Sequence, residues 1–185
     1  MEKGTVCYID QNALPFEFTI REASGFVESC QAITSMAVRG AGAIGALAGY
    51  AMAQAYLSAP GNNPAEYLAA AREQIESTRP TARNLFYAVE MVFHAGLISA
   101  EQAVKTAQEI AEKDARDSQK IGEYGSELIR EGYGILTHCN AGWLAFVDYG
   151  TALSPIYKAH EQGKSLTVYV DRKSTRLNSS HEWIS

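Results

Sequence analysis

The chain has 185 residues with 16 basic and 21 acidic side chains, a formal charge of −5 that argues against a face built to grip nucleic acid or another polyanion. Hydrophobic residues make up 46% and charged residues 20%, ordinary globular usage that excludes disorder, a collagen helix and a disulfide scaffold. A core of normal size can form.

Val6 to Asp10 is a short apolar run, and Phe16 to Ile20 alternates Phe, Phe and Ile against Glu and Thr, the period of a half-buried strand. Asn12, Leu14 and Pro15 make the turn between them. From Gly25 to Met36 apolar positions recur at three and four, which predicts an amphipathic helix; Ala41 to Leu57, rich in Ala and Gly, predicts a second and buried one. Asn63, Pro64 and Glu66 read as a capping side chain, a proline at the first helical position and a first-turn carboxylate for a helix reaching Glu76. Arg79-Pro80-Thr81 punctuates, and a further helix runs to His94 and ends at Gly96. Ser99 with Gln102 is a capping box for a longer helix, whose Glu101–Lys105 and Glu109–Lys113 spacings predict a charged, water-facing side.

After Gly132 the pattern changes. Tyr133–Thr137 predicts a strand, His138–Gly142 a polar turn, Thr151–Gln162 a helix and Leu166–Val170 a second strand. Strand, helix, strand implies a parallel pair, so the chain divides into a mostly helical N-terminal domain over 1–130, with a small β element, and the opening unit of an α/β domain over 131–170. Asp171 to Ser185 (DRKSTRLNSSHEWIS) breaks from this composition and resembles a translated sequencing-library adapter. It is expected to be a non-native tail that follows a natural chain cut after a strand, since one strand–helix–strand unit cannot cover both faces of its sheet.

Cys7, Cys30 and Cys139 are odd in number, far apart and without CxxC spacing, so no metal site is indicated and a reducing, cytoplasmic setting is expected. Cys7 and Cys30 read as core thiols. No window approaches the roughly 20 apolar residues of a bilayer span, which implies no membrane segment.

Two features carry chemistry. Gly40-Ala41-Gly42-Ala43-Ile44-Gly45 satisfies GxGxxG, but a dinucleotide fingerprint needs a preceding strand where Gly25–Met36 reads as helix. What survives is narrower: Arg39 and the amides of Gly40 and Ala41 stand at a helix start, where unpaired N–H groups and a guanidinium suit a phosphate. Glycines chosen only for tight helix packing remain the alternative. Arg79 stands before Pro80 at another helix start and fits the same use. The second feature is Cys139, which follows the first strand of the α/β unit, where open parallel sheets bind ligands. Amides of Asn140, Ala141 and Gly142 could stabilise an oxyanion there or lower the thiol pKa. His138 is adjacent, but strand neighbours face opposite ways, so a Cys–His dyad is not expected. A buried structural thiol is the alternative.

IDQNALPFEF, MAVRGAGAIGALAGYAMA, RPTARNLFYA, and ILTHCNAG followed by YGTAL and AHEQGK together resemble the methylthioribose-1-phosphate isomerase family, which is related to the alpha, beta and delta subunits of the translation factor eIF2B. The resemblance spans nearly all of residues 6–171. It implies a helical N-terminal domain joined to a Rossmann-like parallel-sheet domain, a homodimer when full length, and an active site between the domains. It assigns Arg39, Gly40, Ala41 and Arg79 to substrate binding and Cys139 to catalysis, with no metal or redox cofactor. The family's proton-donating aspartate, its asparagine–lysine pair and a glutamine lie further along than this chain reaches, so the chain alone is expected to be inactive. Gly42 stands where many members have proline. The implied reaction converts 5-methylthioribose 1-phosphate, a sugar phosphate, to 5-methylthioribulose 1-phosphate in methionine salvage. Ribose-1,5-bisphosphate isomerase and an eIF2B-like regulatory subunit are the competing readings. A thiol at the strand end favours an enzyme over the latter.

Overall fold

The computed structural model describes residues 4–172 and 180–184. The first apolar run becomes β1 (Val6–Ile9), which turns Val6 inward and Cys7 outward, as strand alternation requires. Cys7 is therefore not the core thiol expected. β2 (Ile20–Ala23) pairs with it antiparallel, from Val6↔Ala23 to Ile9↔Ile20. The strand expected over Phe16–Ile20 is displaced: only Ile20 joins the ladder, and Phe16 is 96% and Phe18 62% exposed. Local hydrogen bonds explain this. The amides of Phe16 and Glu17 both donate to the Ala13 carbonyl, a turn geometry, and Asp10 N–H donates to Thr19 O to close the loop.

Five helices follow: α1 (Phe26–Thr34), α2 (Ala41–Ser58), α3 (Pro64–Ser77), α4 (Arg83–Gly96) and α5 (Ala100–Ser126). The uniformly apolar α2 is buried along most of its length, as a helix without a polar face must be. Ile33, Met52, Ile75, Leu85, Val89 and Val92 form the centre of the core around it. Buried Gln54 is satisfied on both sides, accepting from Ser29 Oγ at 2.7 Å and donating to Gly4 O and Ala23 O at 2.8 Å each. It thereby ties the hairpin and α1 to α2.

The small residues of α2 let α4 approach closely. A Cβ on Gly45 would stand 3.0 Å from Asn84 Cβ, and one on Gly49 would stand 3.5 Å from Ala88 Cβ. Further along, Tyr56 packs on Gly96 and its hydroxyl donates to Phe93 O at 2.8 Å. These contacts ascend together in both helices, so α2 and α4 run parallel with their N-termini at one end.

Two caps differ from expectation. Asn63 takes a left-handed φ of 56°, and its amide reaches the Glu66 carboxylate instead of capping the α3 amides. Ser99 Oγ does accept from Gln102 N–H at 3.1 Å, but Glu101 turns back to its own amide and then to the Ser99 hydroxyl, which hold its carboxyl below the usual range. Lys105 accordingly pairs with Glu109, at 3.8 Å, rather than with Glu101.

The chain forms two compact units that divide within α5, between Lys113 and Asp114. In the second unit β3 (Gly134–His138), a 3-10 turn (Trp143–Ala145), α6 (Ser154–Glu161) and β4 (Thr167–Arg172) give the strand–helix–strand order, with β3 and β4 parallel from Gly134↔Thr167 to His138↔Asp171. β5 (Ser180–Ile184) lies antiparallel on β4, inside the segment expected to be a non-native tail. Residues 173–179 and 185 of that segment lie outside the described residues. The last turns of α5 pack on α6: Ser154 Oγ donates to Ser118 O at 2.7 Å, and Gly122 and Gly125 make room for Ser154 and Pro155. Lys164 Nζ caps the end of α5 through Ser126 O at 2.7 Å and Ile129 O at 2.8 Å. Among the described residues no helix is long and apolar enough to cross a membrane.

Candidate functional site

Arg39, Gly40 and Ala41 lead into α2. Gly40 is the N-cap with φ 102° and ψ 152°, a conformation L side chains rarely adopt, so the entry requires glycine. The first helical bond runs from Ile44 N–H to Gly40 O at 2.9 Å, and among the described residues the amides of Ala41, Gly42 and Ala43 meet no backbone acceptor. At α4 the first bond is Leu85 N–H to Ala82 O at 3.0 Å, which leaves the amides of Arg83 and Asn84 open in the same way. Neither helix has an acidic residue in its first turn or a side-chain cap, so both positive dipole ends stand uncompensated.

Because α2 and α4 are parallel, those two ends share one side of the N-terminal unit. Gly45 meets Asn84, so α2 begins about three residues, or ~4.5 Å, beyond α4. Arg79 is joined to the α4 start by a turn in which Ala82 N–H donates to Arg79 O at 3.0 Å. Arg39 is held by buried Gln11: Nη2 of Arg39 donates to Gln11 O at 3.3 Å, and Gln11 Nε2 donates to Arg39 O at 3.4 Å. Among the described residues no carboxylate pairs with either arginine.

Cys139 sits in the C-terminal unit, one residue past β3. It is exposed and takes a left-handed φ of 69°, uncommon for a residue with a side chain. Its N–H donates to Asp171 O at 3.1 Å. The following turn is braced by Thr151 N–H on Ala141 O at 3.1 Å and Ala145 N–H on Gly142 O at 3.0 Å. Gly150, at φ 78°, lies directly on it; a Cβ there would come within 2.6 Å of the Gly142 carbonyl carbon. The amides of Asn140, Ala141 and Gly142 meet no backbone acceptor among the described residues. His138 is engaged by Asp171, Nδ1 to Oδ2 at 3.1 Å. In contrast, Cys30 is buried, and burial pushes its thiol up to about 11.

The fold thus gathers Arg39, Gly40, Ala41 and Arg79 at one end of the first unit and places Cys139 in the second. Sequence reading missed Gln11, which positions Arg39, and Asp171, which holds both His138 and Cys139. A single polar residue such as Gln11 carries no periodic signal, and Asp171 stood first in the segment expected to be non-native, although it continues the parallel register of β4 on β3. Among the described residues no three His, Cys, Asp or Glu side chains cluster as metal ligands. An open cleft of about 580 Å³ beside the hairpin sets Asp10, Glu22 and Glu28 against Arg21, a balance unsuited to an anion.

Residues 37–177 match the family model described as Initiation factor 2 subunit family, more than half of the chain. The methylthioribose-1-phosphate isomerase of Methylobacterium nodulans is 42% identical over 92% of this chain and 49% of its own length. That of Acetivibrio thermocellus is 40% identical over 96% and 55%. Among solved structures, the translation initiation factor eIF-2B subunit delta from A. fulgidus superposes with a TM-score of 0.79 at 40% identity, over 89% of this chain and 51% of that one. The 5-methylthioribose 1-phosphate isomerase from Pyrococcus horikoshii superposes with a TM-score of 0.81 at 35% identity, over 90% and 50%. The chain spans about half the length of these relatives. It is mixed α/β in the same way, and it belongs to the Initiation factor 2 subunit family.

Proposed function

We infer that this chain carries the phosphate-binding half and the reactive thiol of an aldose–ketose isomerase acting on 5-methylthioribose 1-phosphate. The observation that carries this reading is the parallel packing of α2 on α4. It sets two uncapped helix N-termini, Arg39 and Arg79 at one end of a unit, an arrangement suited to a phosphate dianion. The relatives' names point to the same substrate.

The substrate's anomeric oxygen carries phosphate, so its ring cannot open by simple mutarotation. The ring oxygen must gain a proton while a hydrogen moves between C2 and C1. Fixing the phosphate supplies orientation, and Cys139 acts at the reacting carbons as a base or as a stabiliser of the transition state. The 185-residue chain by itself is expected to bind the sugar phosphate without converting it.

A second reading, a regulatory subunit of a translation factor, is favoured by the likeness to the eIF-2B delta subunit structure. It gives no chemical use to an exposed thiol at a strand end. The two readings separate in a ketose-forming assay on this chain completed with the second half of the Methylobacterium nodulans isomerase. The enzyme reading expects turnover that Cys139→Ala abolishes while binding persists. No turnover in the completed chain, or turnover unchanged by Cys139→Ala, contradicts it.

A further inference from the structure

We propose that His138 and Asp171 form an oriented imidazole–carboxylate pair that accepts a proton from a hydroxyl of the bound sugar beside Cys139. This rests on the isomerase reading for its substrate, although the pair itself does not.

The two residues are opposite each other in the parallel register of β3 and β4, at the carboxyl ends of both strands. Ligands of open parallel sheets bind outside those ends. His138 Nδ1 lies 3.1 Å from Asp171 Oδ2, and an ionised carboxylate only accepts hydrogen bonds, so Nδ1 carries the hydrogen. In the neutral ring the lone pair then falls on Nε2. Among the described residues Nε2 has no hydrogen-bond partner, and the His138 side chain is 59% exposed. Asp171 also receives the Cys139 N–H on its backbone oxygen, at 3.1 Å. One residue therefore fixes both the ring orientation of His138 and the backbone of Cys139. An exposed ion pair adds little stability; its consequence here is which ring nitrogen is left open.

In the proposed reaction the hydrogen on C2 passes with its electron pair to C1 as the bond from C1 to the ring oxygen breaks. The C2 hydroxyl proton leaves to His138 Nε2, and the electron pair of that O–H bond becomes the new carbonyl bond. Passed on through water to the ring oxygen, the same proton completes the open-chain hydroxyl and returns the imidazole to its neutral form. Asp171 is a positioning residue in this scheme, acting through His138.

Two measurements on the intact chain test the pair. The first is nitrogen-15 NMR of the imidazoles at alkaline pH. His138 is expected as the Nδ1–H form, with Asp171→Ala restoring the Nε2–H form that predominates in free histidine and Asp171→Glu retaining Nδ1–H. The second is acylation by diethyl pyrocarbonate, with exposed His160 as internal reference. His138 is expected to react roughly threefold or more faster than in Asp171→Ala. An Nε2–H His138 in the unmodified chain, or an acylation rate indifferent to Asp171, overturns the proposal. Either result leaves phosphate binding untouched, so failure here is distinct from failure of the isomerase reading.

Discussion

Cys7, Cys30 and Cys139 share a side-chain chemistry and differ only in surroundings. Cys30, walled in by apolar neighbours and pushed up to about 11, stays a thiol in neutral solution. Iodoacetamide labelling read by peptide mass should modify Cys7 and Cys139 in the folded chain and reach Cys30 only after denaturation. Early labelling of Cys30 contradicts its burial. Asp10 offers a pH test. The Arg21 side chain, donating at 2.6 Å, and then the Asn12 amide hold its carboxyl below the usual range. A carboxyl depressed by folding stabilises the native state at pH values above its unfolded pKa, and that stability is lost as pH falls through the folded pKa. Melting temperature should thus drop on acidification across and below the ordinary carboxylate range, and less steeply in Asp10→Asn. Equal slopes refute the coupling. At this scale the sequence made positions legible, though not roles: Arg39 before the glycine that opens α2, Arg79 before the turn into α4, and Cys139 directly after β3. Gln11 and Asp171 work through partners 28 and 33 residues away, and no local pattern encodes such distances.

The parallel contact of α2 and α4 is the element-level feature on which the phosphate reading stands. It depends on glycine where the helices nearly touch. At Gly96 a Cβ would fall 2.1 Å from Tyr56 Cε2, so Gly96→Ala must displace the ring and its hydrogen bond to Phe93 O. That overpacking should cost about 1–3 kcal/mol in denaturant unfolding. A loss below a few tenths shows that the helices have slack. Helix existence was readable from apolar spacing of three and four in α1, from Ala and Gly content in α2, and from start, stop and charge-pair signals in α3, α4 and α5. The Phe16–Ile20 alternation misled because period two describes a sheet face only where a sheet exists, and the Ala13 carbonyl had already drawn Phe16 and Glu17 into a turn. The relative direction of α2 and α4 was not readable at all, since it arises from α3 carrying the chain back between them.

At the scale of the molecule, a helical unit supplies positive charge and open amides, and a parallel-strand unit supplies a thiol with an imidazole–carboxylate pair. The α/β class was legible because strand, helix and strand follow one another within forty residues, from Gly134 to Arg172. The division inside α5 was not, because that helix keeps one amphipathic pattern across both units. Anion binding at the helix-start end of the first unit is the central proposal, and titration calorimetry of 5-methylthioribose 1-phosphate into the intact chain tests it most directly. It predicts saturable binding that weakens roughly tenfold or more in Arg39→Ala and again in Arg79→Ala, each losing a charge-assisted contact to phosphate. Binding of equal strength in all three proteins, or none in the unmodified chain, contradicts it.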